Sequence, residues 1–394
     1  MRIILDRNTP FAAPAFNDLG DVVLLETSAI TSGAVRDADI LVVRSETRVD
    51  RRLLEGSGVR FVGTVTIGTD HIDIPYLESR GIGFASAPGS NANSVKEYLL
   101  AALLELSRRR GFSLHGRALG VVGVGNIGSK VVAMAGDLGL TVLQNDPPLA
   151  RQSCQPRFVP LDDLMDADIL TLHVPLTRTG EDATFHLFDS RRIAGMKPGS
   201  ILINTSRGSV VETRAVKDAL RSGHLSAAVL DVWEGEPSID AELLELVMLG
   251  TPHIAGYSLD GKVNAVRMIR EAACRFLSDD STWNPEGDLP APDVARISLE
   301  GGGNPEEQLQ TAVRSCYDIA SDDRNLRGLL DVPPQSRPLF FSQLRSGYRI
   351  RREFSAVRVD VPPELESLRK VINAVGFRVE ARESPPSQKY RSSR

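Results

Sequence analysis

The chain has 394 residues, a length that predicts two or three domains. Of these residues 42% are hydrophobic and 25% charged, proportions typical of a soluble globular protein. Its formal net charge of −5 shows no basic excess, which argues against nucleic acid as the main partner. No signal peptide or membrane-spanning apolar run is evident and the three cysteines lack metal-ligand spacing, so we expect a cytoplasmic protein with no membrane association and no metal site.

The first 93 residues alternate short β-type runs with helix-like runs, the pattern of an α/β domain with a parallel sheet. The predicted strands are Arg2–Asp6, Val22–Glu26, Ala38–Ser45, Val59–Ile67 and Gly81–Ser86. A capping box formed by Ser94 and Glu97 then predicts a long helix that ends before Gly111.

A glycine-rich turn follows, between a strand-like run and a helix-like run, as in dinucleotide-binding domains. Gly123 would allow a tight turn, Gly125 would let the backbone approach a pyrophosphate, and Gly128 would let the next helix pack against its strand. The N–H groups at the start of that helix would face the phosphates. We predict further cofactor contacts in the same turn at Asn126 and Ile127. The alternative is a glycine turn in an ordinary βαβ unit that binds nothing.

An acidic residue, Asp146, ends the next predicted strand. Its carboxylate could accept hydrogen bonds from an adenosine ribose and would repel a 2′-phosphate, and no Lys or Arg follows before Arg151. The sequence therefore predicts NAD as the cofactor, in preference to NADP.

The α/β alternation continues beyond this point, which predicts a complete doubly wound domain over 94–253. A helix is predicted over Gly261–Ser278, followed by a linker and by a smaller α+β domain at 286–382. Within that domain a helix is predicted near Pro305–Ala320. The Ser-, Pro- and charge-rich tail at 383–394 is predicted to be disordered.

Three loops carry groups suited to oxidising a hydroxy acid. Arg207 follows a predicted strand, where its guanidinium could hold a carboxylate with two parallel hydrogen bonds. His253 could take the hydroxyl proton as a hydride leaves the carbon, and Glu236 would orient the histidine ring. Each residue alone is more often structural or a solvated surface charge. Together the three predict a hydride-transfer site.

These motifs resemble those of the D-isomer-specific 2-hydroxyacid dehydrogenases. The resemblance is carried by Gly123–Gly128 with Asp146, His173–Pro175, Asn204–Gly208, Asp231–Pro237 and Pro252–His253. It implies that Arg207 binds the substrate carboxylate, that His253 is the general acid/base paired with Glu236, and that Asp231 contacts the nicotinamide end. It further implies a Rossmann-type NAD domain at 94–253 and a flavodoxin-like substrate domain built from 1–93 and 254–280.

Within the family, the chain particularly resembles a branch that acts on a small phosphorylated 2-hydroxy acid and forms homodimers through the added C-terminal domain. That resemblance implies substrate contacts at Ser45, Thr66 and Tyr257. It also implies cofactor contacts at Gly256 and at Val174, which stands where a threonine is common. For the substrate phosphate, the candidates are Arg44 and a basic cluster at 345–352 reaching over from a dimer partner.

Two alternatives remain open at the level of sequence. One is another D-2-hydroxyacid dehydrogenase, acting on phosphoglycerate or glycerate. The other is an NAD-sensing regulatory or corepressor protein built on the same fold, which would bind the cofactor without useful turnover.

Overall fold

The computed structural model describes residues 1–153, 155–300 and 304–381, so the tail at 383–394 lies outside the described residues. The strands are β1 (Arg2–Asp6), β2 (Asp21–Leu25), β3 (Ile40–Val43), β4 (Phe61–Thr64), β5 (Gly83–Ala85), β6 (Ala118–Val122), β7 (Thr141–Asn145), β8 (Ile169–Leu172), β9 (Ser200–Asn204), β10 (Leu225–Leu230), β11 (Leu249–Gly250), β12 (Arg296–Ser298), β13 (Arg358–Val361) and β14 (Arg378–Ala381). The helices are α1 (Ala12–Phe16), α2 (Arg51–Leu54), α3 (Ile74–Ser79), α4 (Ala92–Arg110), α5 (Gly128–Asp137), α6 (Pro147–Ser153), α7 (Ser190–Ala194), α8 (Thr213–Ser222), α9 (Ala241–Leu246), α10 (Leu259–Leu277), α11 (Pro305–Cys316), α12 (Ile319–Arg327), α13 (Arg337–Ser346) and α14 (Glu366–Val375). None of the helices within these ranges combines the length and apolar character needed to cross a bilayer.

The chain divides into two compact units. The first unit comprises Met1–Lys96, Ala255–Pro290 and Tyr348–Arg351, and the second comprises Glu97–Ile254, Ala291–Gly347 and Arg352–Arg394. The C-terminal residues predicted as a separate domain thus group mainly with the second unit, and the division into three domains stays a prediction.

The first unit contains a five-stranded parallel sheet in the order β2-β1-β3-β4-β5, the flavodoxin-like order that the family resemblance implies. Helix α10 covers one face of this sheet. Gly63 in β4 leaves no room for a side chain because Ile269 of α10 packs directly against it. Because β3 and β4 are neighbouring strands, their carboxyl ends lie side by side, and α10 packs closely against β4.

The second unit contains a six-stranded parallel sheet in the order β11-β10-β9-β8-β6-β7. Outside β7, Phe158 forms a single parallel bridge with Gln144. If this bridge is counted as a vestigial third strand, the order is that of a Rossmann-type sheet, as expected from the sequence.

A small sheet in the order β12-β13-β14 is built from the C-terminal residues, and its strands are all parallel. The helix predicted near 305–320 ends at Cys316, and two further helices, α12 and α13, follow it. Their apolar residues Leu326 and Phe341, with Leu329 between them, belong to the hydrophobic core of the second unit.

The capping box predicted at Ser94 is wrong. Helix α4 already begins at Ala92, so Ser94 lies inside its first turn. There the buried Ser94 hydroxyl lies 2.6 Å from the hydroxyl of Ser258. The carboxylate of Glu97 accepts a hydrogen bond of 2.7 Å from the backbone N–H of Phe354. Both side chains that would have capped a helix starting at 95 thus form hydrogen bonds with residues distant in the sequence. The predicted end is correct, since Gly111 follows α4 with a φ of 66°.

Candidate active site

The glycine turn between β6 and α5 has two positions that no other residue fits. Gly123 has a φ of 86°, and a side chain there would meet the His173 carbonyl and Val174. A side chain at Gly128 would overlap the carbonyl group of Gly123. By contrast, no protein atom lies within 4 Å of the position that a β-carbon would take at Gly125. The turn is therefore tight and closely packed on its helix, and it leaves space at its exposed tip, where Asn126 is also exposed and Ile127 half-buried.

Asp146, directly after β7, is tied to this turn. Its Oδ2 accepts a hydrogen bond of 2.8 Å from the backbone N–H of Val124. Its Oδ1 accepts one of 3.0 Å from the N–H of Leu149 in α6. The carboxylate lies beside the turn, as the sequence predicts, and has a defined orientation. Its proposed role toward a ribose remains a prediction.

The loop that carries Arg207 begins where β9 ends. The side chain of Asn204 accepts a hydrogen bond of 3.0 Å from the N–H of Ser206 and donates one of 2.9 Å to the carbonyl of Arg207. A side chain at Gly208 would overlap the backbone of Trp233, so the loops after β9 and β10 touch through their main chains. Arg207 itself is half-buried. Its position relative to the Trp233 loop is therefore set by backbone contacts.

The predicted pair of Glu236 and His253 is present. Oε2 of Glu236 lies 2.7 Å from Nδ1 of His253, and Oε1 accepts a hydrogen bond of 2.7 Å from the N–H of Trp233. The two side chains are 20% and 28% exposed. An ionised carboxylate can only accept, so Nδ1 carries a proton, and in the neutral ring Nε2 is then the basic nitrogen. A general base needs this kind of orientation, and the catalytic role of His253 stays a prediction.

Asp231 holds the loop that carries His253. This carboxylate is buried, and its Oδ1 accepts hydrogen bonds of 2.6 Å from the Thr251 hydroxyl and 2.8 Å from the N–H of Ile254. The N–H of His253 donates to the Asp231 carbonyl at 2.7 Å. Behind Thr251, the hydroxyl of buried Tyr98 lies 2.7 Å from the threonine oxygen, and burial, followed by the Asp231 charge, raises the pKa of Tyr98 well above its usual value. The predicted contact of Asp231 with the nicotinamide remains a prediction.

His173 follows β8 and is held between two threonines. Its Nε2 lies 3.0 Å from the Thr171 hydroxyl, and its Nδ1 lies 3.2 Å from the Thr205 hydroxyl. Burial lowers the pKa of His173 to about 3. The ring is therefore neutral across the physiological pH range.

The first unit places the predicted substrate contacts at one sheet edge. Val43 of β3 pairs with Thr64 of β4. Ser45 and Thr66 each follow two residues later, so they lie at the carboxyl edge, where parallel sheets bind ligands.

Sequence reasoning missed a cation near this edge, Lys262 in the first turns of α10. Its amine lies 4.7 Å from the centre of the Tyr257 ring, within cation–π range. Burial, and then the positive charge of Arg44, lower the pKa of Lys262. Arg44 has a nearby acid in Glu46, 3.4 Å away and 56% exposed. Only the spacing from Tyr257 to Lys262 could have suggested this residue from the sequence.

The basic cluster at 345–352 differs from expectation. Arg351 is buried and donates hydrogen bonds to the carbonyls of Tyr257, at 3.3 Å, and Ser94, at 3.4 Å. Arg345 donates to the His253 carbonyl at 3.3 Å. The idea that this cluster reaches the substrate of a dimer partner is therefore wrong for Arg351, whose guanidinium is enclosed by its own chain.

Gly256, a predicted cofactor contact, lies against Asn91, and a side chain at position 256 would overlap that of Asn91.

Comparison with known proteins places these features in a family. The model of the D-isomer specific 2-hydroxyacid dehydrogenase NAD binding domain matches residues 93–255, and a model for a domain of unknown function matches 289–376. The erythronate-4-phosphate dehydrogenase of Chromohalobacter salexigens is 44% identical over 384 residues, which cover 96% of this chain and 99% of the relative. The chain belongs to the erythronate-4-phosphate dehydrogenase family, within the D-isomer-specific 2-hydroxyacid dehydrogenases.

Other relatives agree with this membership. The erythronate-4-phosphate dehydrogenase of Azotobacter vinelandii is 44% identical and covers 95% of this chain and 99% of its own. A solved D-lactate dehydrogenase from Aquifex aeolicus, in complex with NAD and lactic acid, aligns with a TM-score of 0.55 and 27% identity over 71% of this chain and 96% of its own. As a member of this dehydrogenase family, the protein is an NAD-dependent oxidoreductase that acts on a hydroxy acid.

Proposed function

We propose that the protein oxidises C2 of 4-phospho-D-erythronate to the corresponding 2-oxo acid, a step that the resemblance assigns to pyridoxal 5′-phosphate biosynthesis. The relatives at 44% identity over nearly the whole chain support this substrate. The observation that carries the reaction type is the 2.7 Å contact between Glu236 and His253. It supplies an oriented base in the unit that also contains the glycine turn.

In the proposed chemistry, three residues of the second unit each have one task. Arg207 holds the substrate carboxylate with a charge-assisted hydrogen-bond pair. Nε2 of His253 takes the C2 hydroxyl proton, and Glu236 stabilises the imidazolium that results. NAD, when bound, supplies the acceptor for the hydride that leaves C2. The open tip at Gly125 fits the close approach of a pyrophosphate, and Asp146 fits a ribose hydroxyl.

For the first unit, we propose that Ser45, Thr66 and Tyr257 contact the substrate and that Arg44 and Lys262 bind its phosphate. The repulsion between these two cations supports the phosphate assignment, because an anion bound between them would relieve it. The unit that contains Lys262 would then discriminate between phosphorylated and unphosphorylated acids.

We also propose Gly256 and Val174 as cofactor contacts, a homodimer formed through the C-terminal residues, and a cytoplasmic location. These follow the family resemblance. Analytical ultracentrifugation of the full chain tests the dimer: a monomer at micromolar concentration would exclude it.

The deciding experiment is NADH formation with a panel of acids comprising 4-phospho-D-erythronate, D-erythronate, 3-phosphoglycerate and D-glycerate. The proposal expects the highest kcat/KM for 4-phospho-D-erythronate. A preference for phosphoglycerate or glycerate would move the enzyme to another substrate within the family. Absence of turnover with every acid, together with intact NAD binding, would favour the regulatory alternative.

A further inference from the structure

Three polar side chains form a continuous hydrogen-bonded chain at the carboxyl edge of β4. The hydroxyl of Thr66 lies 2.8 Å from the Gly68 carbonyl and 2.7 Å from the hydroxyl of Thr64. Thr64, which is fully buried, lies in turn 2.9 Å from Nε2 of His71. The backbone of His71 is fixed as well, because its carbonyl accepts a 2.9 Å hydrogen bond from the N–H of Val49.

The direction of every hydrogen bond in this series of side chains follows from its last acceptor, the Gly68 carbonyl. A carbonyl oxygen carries no proton, so the hydroxyl of Thr66 must donate to Gly68. Thr66 has then used its only proton, and the Thr64 hydroxyl must donate to Thr66. Thr64 has likewise used its proton, so His71 must donate from Nε2. In the reverse direction the oxygens of Thr66 and Gly68 would face each other at 2.8 Å with no proton between them.

With these directions fixed, the Thr66 hydroxyl can form further hydrogen bonds only as an acceptor. A hydroxyl oxygen has two lone pairs, and the proton from Thr64 occupies one of them. The half-buried Thr66 can therefore accept one more hydrogen bond, but it has no proton left to donate. A carboxylate or phosphate oxygen only accepts, so Thr66 selects against both groups. Its partner must be a donor, and on a hydroxy acid the available donor is a hydroxyl group.

We propose that Thr66 accepts a hydrogen bond from a substrate hydroxyl other than the one being oxidised, and that His71 is a positioning residue that fixes this polarity through Thr64. The proposal rests on the proposed function, in which a 2,3-dihydroxy acid reaches this sheet edge with its C3 hydroxyl free. Burial lowers the pKa of His71, which keeps its ring neutral and makes the site of its single proton decisive.

The substrate experiment compares 4-phospho-D-erythronate with its 3-deoxy analogue, 2-hydroxy-4-phosphobutanoate of the same C2 configuration. In the wild type, loss of the C3 hydroxyl lowers kcat/KM about tenfold, the value of one hydrogen bond to a positioned acceptor. In Thr66→Val the two substrates become equal, whereas Thr66→Ser keeps the discrimination. A Thr66→Val enzyme that still discriminates tenfold overturns the inference. Wild-type turnover of neither substrate instead overturns the proposed function.

The positioning role is tested with the matched pair His71→Gln and His71→Met, which differ in the donor group at nearly constant size. We expect His71→Gln to keep the discrimination against the 3-deoxy acid and His71→Met to lose most of it. The wild-type protein supplies a readout free of mutation: 15N NMR of labelled histidine, assigned by difference from His71→Gln, should show the proton on Nε2. A proton on Nδ1 would overturn the inferred direction even if the enzyme is fully active.

Discussion

Gly208 lies so close to Trp233 that a β-carbon at position 208 would overlap the Trp233 carbonyl group. Arg207 immediately precedes this contact on one loop, and Glu236 follows it by three residues on the other. A single main-chain approach thus sets the distance between the proposed carboxylate-binding group and the partner of the proposed base.

Replacement of Gly208 by alanine should force these two loops apart. We expect kcat/KM to fall at least about tenfold and the free energy of unfolding to fall by about 1–3 kcal/mol, the usual cost of overpacking. Steady-state kinetics and urea denaturation measure the two effects. Gly136→Ala, in α5 with open space at the β-carbon, is the matched control; it should keep the wild-type kinetics and lose no stability. Unchanged kinetics in Gly208→Ala would show that the contact does not set the site.

Removal of the proposed base should separate turnover from cofactor binding. His253→Ala is expected to lower kcat by about 10²–10⁴-fold, the usual contribution of general acid–base catalysis, and to leave NADH affinity unchanged. Fluorescence titration with NADH measures the affinity, and His115→Ala, at an exposed histidine, is the control. A comparable loss of NADH affinity would mean that His253 binds the cofactor and is not the base.

The Asp231 network predicts that a buried hydroxyl supports the His253 loop. Thr251→Val removes the donor to Asp231 and the partner of Tyr98 together, so it should lower the free energy of unfolding by about 1–3 kcal/mol. Because this network holds the loop of His253, kcat should fall as well. Thr251→Ser keeps the hydroxyl and should restore most of both losses. Stability and kcat that are unaffected in the valine variant would contradict this role.

The cation pair predicts a phosphate-specific defect. Lys262→Met and Arg44→Met should each raise KM for 4-phospho-D-erythronate about tenfold or more and leave kcat/KM for D-erythronate nearly unchanged. The exposed Lys370→Met serves as the control for loss of one positive charge. Since the pKa of Lys262 is lowered, KM for the phosphorylated acid should begin to rise at a lower alkaline pH than for a site with an ordinary lysine. Equal losses on both acids would show that the cations do not read the phosphate.

The neutral state of His173 has a predictable pH signature. In the unfolded chain this histidine takes up a proton below about pH 6.5, whereas in the folded protein it does so only near its pKa of about 3. The unfolded state therefore binds more protons between these values, and this group makes the protein less stable as the pH falls from 6.5 toward 3. In His173→Asn the dependence of unfolding free energy on pH should be shallower over that window, by at most about 1.4 kcal/mol per pH unit. Identical slopes would show that His173 protonates normally.

Much of this site could be predicted from the sequence because its signals are local. The glycine turn requires its glycines within six residues, and strand ends place Arg207 and Glu236 at one edge of a parallel sheet whatever the rest of the chain does. Residues whose partners are distant could not be assigned in this way. The role proposed for His71 depends on its contact with Thr64, and the role proposed for Lys262 depends on the nearby Arg44. The sequence shows neither relationship.

The same limit explains the errors in the fold. Ser94 and Glu97 satisfy a local capping pattern, but tertiary partners, Ser258 and Phe354, take both side chains. The sequence predicts one helix near Pro305–Ala320 and no further element before 356. Which sheet a helix covers depends on tertiary contacts that local sequence patterns do not show. The helices α12 and α13 were therefore not foreseen as part of the core of the second unit.

The contribution of Leu326, Leu329 and Phe341 to that core has a consequence for biosynthesis of the chain itself. On the ribosome, all six strands of the NAD-binding sheet have emerged once Gly250 is free, but the sheet still lacks part of its apolar cover until Phe341 has followed. During that interval an exposed apolar surface is available to chaperones and to aggregation. A premature stop between His253 and Phe341 would leave Arg207, Glu236 and His253 on a polypeptide that lacks part of this core.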